Sequence, residues 1–157
     1  MTAVLDVPVL DHPETATVTP NTPVLTAETL LPREPSAVAH GRAWLGIVLA
    51  EWGIDEDTAA DAKLLLSELF GNAVRHAGGP DAGGKTLIAA TRWGDRLKVS
   101  VSDPDPDTSA YHADASDTAE SGRGLFLVHA LSSRYGAYRL HDGKITFFEM
   151  DIAGGAA

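Results

Sequence analysis

The chain holds 157 residues with a hydrophobic fraction of 44%, enough for one domain with a proper core. It contains no cysteine, which excludes a disulfide framework, a thiolate metal site and a cysteine nucleophile. A formal net charge of −10 argues against a DNA or RNA backbone as the main partner, and it means that any anionic ligand needs a local source of positive potential.

Met1 is followed by no basic residue and apolar run, so no signal peptide is expected. No apolar stretch approaches the roughly 18 residues that cross a bilayer, so the expectation is a cytoplasmic protein without a membrane partner. Residues 1–23 carry Pro8, Pro13, Pro20 and Pro23 without steady periodicity and read as a disordered or loosely attached tail. One domain follows over residues 24–152, with a short tail at 153–157.

Val24 to Leu31 reads as a strand ended by Pro32. Ser36 is a plausible N-cap for a helix to about Trp52, striped by Val38, Leu45, Val48, Leu49 and Trp52 and stopped by Gly53. Gly41 and Gly46 inside it cost about 1 kcal/mol each relative to Ala, so packing must hold that helix. The next helix starts near Asp55, with Glu56 and Asp57 against the positive end of its dipole, and stops at Gly78-Gly79-Pro80. At about 100° per residue, Ala62, Leu66, Leu69, Phe70 and Ala73 gather in one sector. Glu68 and Asn72, one turn apart, fall on its flank, with Arg75 nearby and His76 at the apolar edge.

Thr86–Trp93 and Arg96–Asp103 read as a hairpin across Gly94-Asp95. Residues 104–121 have no usable pattern, and loops of that length are usually lids or disordered. Gly122-Arg123-Gly124 opens a further helix with Leu125, Val128 and Leu131 on its apolar face and Gly136 after its end. Ala137–His141 and Lys144–Ile152 form a second hairpin through Asp142-Gly143. This order predicts an α+β fold, a two-layer α/β sandwich whose mixed, mostly antiparallel sheet carries helices on one face.

The chemistry gathers in three places. Glu68 and Asn72 supply a base and a neutral oxygen ligand on one helix, and Asp103 closes a strand where the long loop begins. Gly122 and Gly124 open a helix whose free amides and dipole favour phosphate, with Arg123 adding to the positive potential. A hard cation such as Mg²⁺ takes oxygen ligands and keeps phosphates and waters in its shell, a role that suits Asn72. Together these parts describe a Mg²⁺–nucleotide pocket. The six histidines are scattered, which disfavours a metal hydrolase.

Glu68-x-x-x-Asn72 followed by Ala73-x-x-His76-Ala77 resembles the N box of the GHKL (Bergerat-fold) ATPases. Asp103 stands where that superfamily has its adenine-binding aspartate, and Gly122-x-Gly124-Leu125 matches its second glycine box. Gly143-Lys144-Ile145-Thr146-Phe147 resembles its terminal strand entry. Leu31-Pro32-Arg33-Glu34-Pro35 and the compact length look most like the small anti-sigma-factor serine/threonine kinases and their actinobacterial relatives. The resemblance implies ATP and Mg²⁺ as cofactors, Glu68 as general base, Asn72 as Mg²⁺ ligand, and Asp103 as acceptor from the adenine amino group with Thr146 in support. Gly122, Arg123, Gly124 and Leu125 would wrap the phosphates, and residues 104–121 would close as a lid.

It also implies an anti-anti-sigma partner of the STAS type that is phosphorylated and a sigma factor that is sequestered, and it leaves open whether the domain forms a homodimer. One departure stands out. The superfamily's Asp-x-Gly-x-Gly box is here Asp103-Pro104-Asp105-Pro106-Asp107, without either glycine. That departure supports an alternative, a non-catalytic interaction module with weak or lost nucleotide binding. A third reading is an ATPase or nucleotide sensor without a protein substrate.

Overall fold

The computed structural model of the chain describes residues 9–10, 23–76, 84–103, 127–140 and 143–152. Its elements are β1 (Val9–Leu10), β2 (Val24–Pro32), α1 (Pro35–Glu51), α2 (Glu56–His76), β3 (Lys85–Trp93), β4 (Arg96–Asp103), β5 (Arg134–Leu140) and β6 (Gly143–Asp151). Residues 127–131 are also helical. The six strands form one sheet in the order β1-β5-β6-β4-β3-β2. All neighbours are antiparallel except β1, which runs parallel to β5 at the edge. The expected α+β sandwich with a mixed, mostly antiparallel sheet is the observed architecture. Val9–Leu10 adds a short strand where the sequence suggested none.

α1 begins at Pro35, with Glu34 rather than Ser36 at the N-cap. Proline suits the first helical position because its φ is preset and it has no N–H to leave unbonded. The helix ends in a Schellman motif: Ile54 N–H donates to Leu49 C=O, Gly53 N–H donates to Ala50 C=O, and Gly53 takes φ +71°. Asp55 receives the Thr58 backbone N–H at 3.0 Å and the Thr58 hydroxyl at 2.6 Å, which starts α2. Glu56 and Asp57 lie in its first turn.

Burial alternates along β4, where Leu97, Val99, Val101 and Asp103 are buried. The first three join one apolar core with Ile88 and Ala90 of β3, Phe148 and Met150 of β6, Leu45 and Leu49 of α1, and Leu65, Leu66, Leu69, Phe70 and Ala73 of α2. The helices therefore cover that face of the sheet, and the sector read from α2's periodicity is its buried face. On the opposite face Phe147 and Tyr138 are buried outside this core, with Lys98 Nζ 4.7 Å from the Phe147 ring centre. Burial lowers the Lys98 pKa and raises that of Tyr138.

Two sequence boundaries move. β5 begins at Arg134, so Gly136 lies inside the strand rather than beyond a helix end. The reason is local: Ser132 closes the helical stretch by bonding back to Val128 C=O, and Ser133 N–H at once joins the ladder on Glu149 C=O at 2.8 Å. Residue 142 of the expected Asp142-Gly143 turn, the lid at 104–121 and the start of the glycine-opened helix lie outside the described residues.

Candidate functional site

Cross-strand partners share a face of a sheet. Asp103 is the Cα partner of Lys144, Val101 that of Thr146, and Val99 that of Phe148, so Asp103, Lys144 and Thr146 stand on the helix-covered side. All three are buried. Asp103 ends β4 in phase with Leu97, Val99 and Val101, which places a carboxylate where the pattern would otherwise put another apolar side chain.

Two cations meet that carboxylate. Arg33 Nη1 lies 3.6 Å from Asp103 Oδ1, and Lys144 Nζ lies 3.9 Å from Oδ2; all three side chains are only 2% exposed. Both separations exceed hydrogen-bonding distance, so these are close ion pairs in a dry setting rather than bonded forks. Arg33 sits in the short link between β2 and α1, where its backbone N–H donates to Gly84 C=O at 2.8 Å and pins that link to the start of β3. Beside it Thr86, the cross-strand partner of Leu31, is fully buried, and its hydroxyl has no hydrogen-bond partner among the described residues.

α2 packs on β4 and β6 and carries the other two predicted site residues. Asn72 is buried and Glu68 half-buried, as their place on the flank of the apolar sector requires. The Asn72 side-chain oxygen accepts a hydrogen bond from Arg75 Nη2. An oxygen that faces a guanidinium is one that suits positive charge. Among the described residues no group of three or more His, Asp or Glu is placed to hold a metal. A Mg²⁺ ion at Asn72 would therefore bring most of its ligands as phosphate oxygens and waters, which is how this ion is usually held beside nucleotides.

The structure thus gathers Asp103, Lys144 and Thr146 on one face of the sheet and sets Glu68 and Asn72 on the helix that covers it. Gly122, Arg123, Gly124 and Leu125 lie outside the described residues, as does the His76 side chain. Sequence reasoning missed three basic residues. Lys144 was legible, since it alternates with Thr146, Phe148 and Met150. Arg75 lies three residues from Asn72, within reach on a helix, yet reads as surface. Arg33 stands in the Leu31-Pro32-Arg33-Glu34-Pro35 stretch, but nothing local marks its pairing with Asp103, which depends on where β4 ends.

Residues 31–148 match the family described as the histidine kinase-like ATPase domain. The chain is 26% identical to a serine-protein kinase RsbW of Oceanobacillus iheyensis, over 80% of this chain and 90% of that one. It is 31% identical to the serine-protein kinase RsbW of Bacillus subtilis, over 66% of this chain and 72% of that one. Among solved structures it resembles the RsbU and RsbW domains of a Mycobacterium tuberculosis protein, with a TM-score of 0.65 and 25% identity, covering 84% of this chain. The chain spans about a third of that polypeptide, 34%.

Proposed function

Since this chain belongs to the histidine kinase-like ATPase domain family, we propose that it binds ATP with Mg²⁺ and transfers the γ-phosphoryl group to a serine or threonine of a partner protein. The partner in this reading is an anti-anti-sigma protein of the STAS type, and a sigma factor is held in the other state, so the protein regulates transcription in the cytoplasm. The observation that carries the reading is the placement of Glu68 and Asn72 one turn apart beside the buried face of α2, with Asp103 facing the helices from the end of β4. The relatives named serine-protein kinase support the reaction class.

Phosphoryl transfer asks mainly for positioning and charge neutralisation. Asp103 accepts from the base amino group, with Thr146 on the adjacent strand in support. Asn72 would hold the nucleotide's Mg²⁺ through its side-chain oxygen, and the ion would supply charge neutralisation at the phosphates. The partner's hydroxyl oxygen bonds to the γ-phosphorus, the bond from that phosphorus to the bridging oxygen breaks, and ADP leaves with the electron pair. Glu68 takes the hydroxyl proton. Gly122, Arg123, Gly124 and Leu125 complete the phosphate wrap in this reading.

A second reading is a non-catalytic interaction module. The loss of both glycines at Asp103-Pro104-Asp105-Pro106-Asp107 favours it, since glycines there let the backbone approach the base. Calorimetry with MgATP and a phosphotransfer assay on the STAS partner separate the two. The kinase reading expects binding, and it expects transfer that disappears in Glu68→Ala while partner binding survives. Undetectable binding at millimolar MgATP would overturn it and leave the interaction module.

A further inference from the structure

The group that a base amino would have to reach is already engaged. The Asp103 carboxylate is buried at 3% exposure between Arg33 and Lys144, at 3.6 and 3.9 Å. A guanidinium and an exocyclic amino group are both N–H donors, and both seek the same carboxylate lone pairs. Among the described residues, Arg33 and Lys144 flank the two carboxylate oxygens that a base amino group would also have to reach.

The two cations are anchored differently. Lys144 belongs to β6, which has β4 on one side and β5 on the other, so its Cα is fixed by two ladders. Arg33 reaches Asp103 from the link between β2 and α1, outside the paired strands, on a long side chain. Next to it, the buried Thr86 hydroxyl has no hydrogen-bond partner among the described residues. Buried polar groups normally have one, so this hydroxyl marks unused bonding capacity at the start of β3.

Resting on the nucleotide-binding reading above, we infer that Arg33 sets the nucleotide affinity of this site: in the free protein it occupies Asp103 as an internal competitor of the base amino group, and nucleotide binding displaces it while Lys144 stays paired. The aspartate is thereby kept neutralised and buried whether or not nucleotide is bound. The cost of releasing Arg33 is subtracted from the affinity.

The test is MgATP titration calorimetry on the full chain, unmodified and as Arg33→Met, Arg33→Lys and Lys144→Met. Arg33→Met removes the donor but keeps bulk and leaves Lys144 to balance Asp103. It tightens binding on the order of tenfold, because the base no longer has to displace a charged donor. Arg33→Lys keeps a competing donor and stays near the unmodified value, and Lys144→Met brings no tightening. A misfolded variant cannot imitate a gain in affinity. Equal or weaker binding by Arg33→Met, or equal tightening by Lys144→Met, overturns the inference while the nucleotide reading stands.

The unmodified chain supplies a second readout. The Arg33 Nε–H resonance, assigned by its loss in Arg33→Lys, exchanges slowly in the free protein and fast with saturating MgATP. A resonance that stays protected at saturation overturns the displacement. Absence of MgATP binding by every chain overturns the nucleotide reading and this inference with it.

Discussion

Replacing Asp103 by Asn leaves the shape of the site almost unchanged and removes the negative charge that pairs with both Arg33 and Lys144. At separations of 3.6 and 3.9 Å, each attraction is about 4–5 kcal/mol gross for an effective dielectric near 20. Desolvation and the repulsion between the two cations offset much of this. Removing one partner from a buried ion pair typically costs about 3–5 kcal/mol, because the remaining charge stays buried and uncompensated. We expect Asp103→Asn to lower unfolding stability by about that amount, a large share of the roughly 5–15 kcal/mol that domains possess.

The sharper expectation is non-additivity. Once Asp103 is Asn, Arg33 is a liability, so Asp103→Asn with Arg33→Met should cost less than the two single changes summed, by about 1–3 kcal/mol. Urea denaturation without nucleotide measures all four corners of this cycle, provided the slope with denaturant stays constant across them. A single-mutant cost below about 1 kcal/mol for Asp103→Asn, or a cycle that closes within about 0.5 kcal/mol, would refute the argument that these buried charges are coupled.

Two further expectations concern the scaffold. Gly41 lies in α1 with room for a methyl group, since a Cβ there would sit 3.4 Å from Phe70 Cδ1 and 3.5 Å from both Ile88 Cδ1 and Leu31 Cδ1. Gly41→Ala should therefore raise stability by about 0.5–1 kcal/mol through the helix-backbone term, and a lowered denaturation midpoint would show that the methyl group does not fit among these side chains. The Asp55 pKa is lowered by the Thr58 hydroxyl and then by the Thr58 backbone N–H. A carboxyl with a depressed folded pKa contributes stability above its unfolded value, near about 3.9, and loses it as pH falls through the folded value. Asp55→Ala should flatten the acid limb of the stability profile below about pH 4, and an unchanged limb would discount the cap.

What the sequence made legible follows from which forces are local. The burial of α2 could be read from angular spacing alone, because a helix with Ala62, Leu66, Leu69, Phe70 and Ala73 on one side has one way to face a core. The β3–β4 hairpin was readable from Gly94-Asp95, and Gly94 does take the left-handed φ of +56° that such a turn uses. The start of β5 was not, because it depends on Ser133 bonding to Glu149, sixteen residues away in the chain. At the candidate site the residue types were legible but their partners were not. A guanidinium from residue 33 meets a carboxylate at residue 103 only after β2, β3 and β4 have paired in register.

The same partners answer a difficulty raised by composition. A chain with 22 acidic and 12 basic residues must find local positive potential to hold an anionic ligand. The described residues supply it as whole charges. Arg33 and Lys144 stand on Asp103, and Arg75 donates to Asn72. In the proposed reading these two groups take the base and the metal, so each carries a basic side chain in the free protein. Burying a carboxylate beside two cations costs less than burying it alone. The arrangement also means that ligand affinity is a difference between two sets of contacts. A substitution that removes a contact visible in the free structure can then strengthen binding, and for that reason the sign of the Arg33→Met effect is more informative than its size.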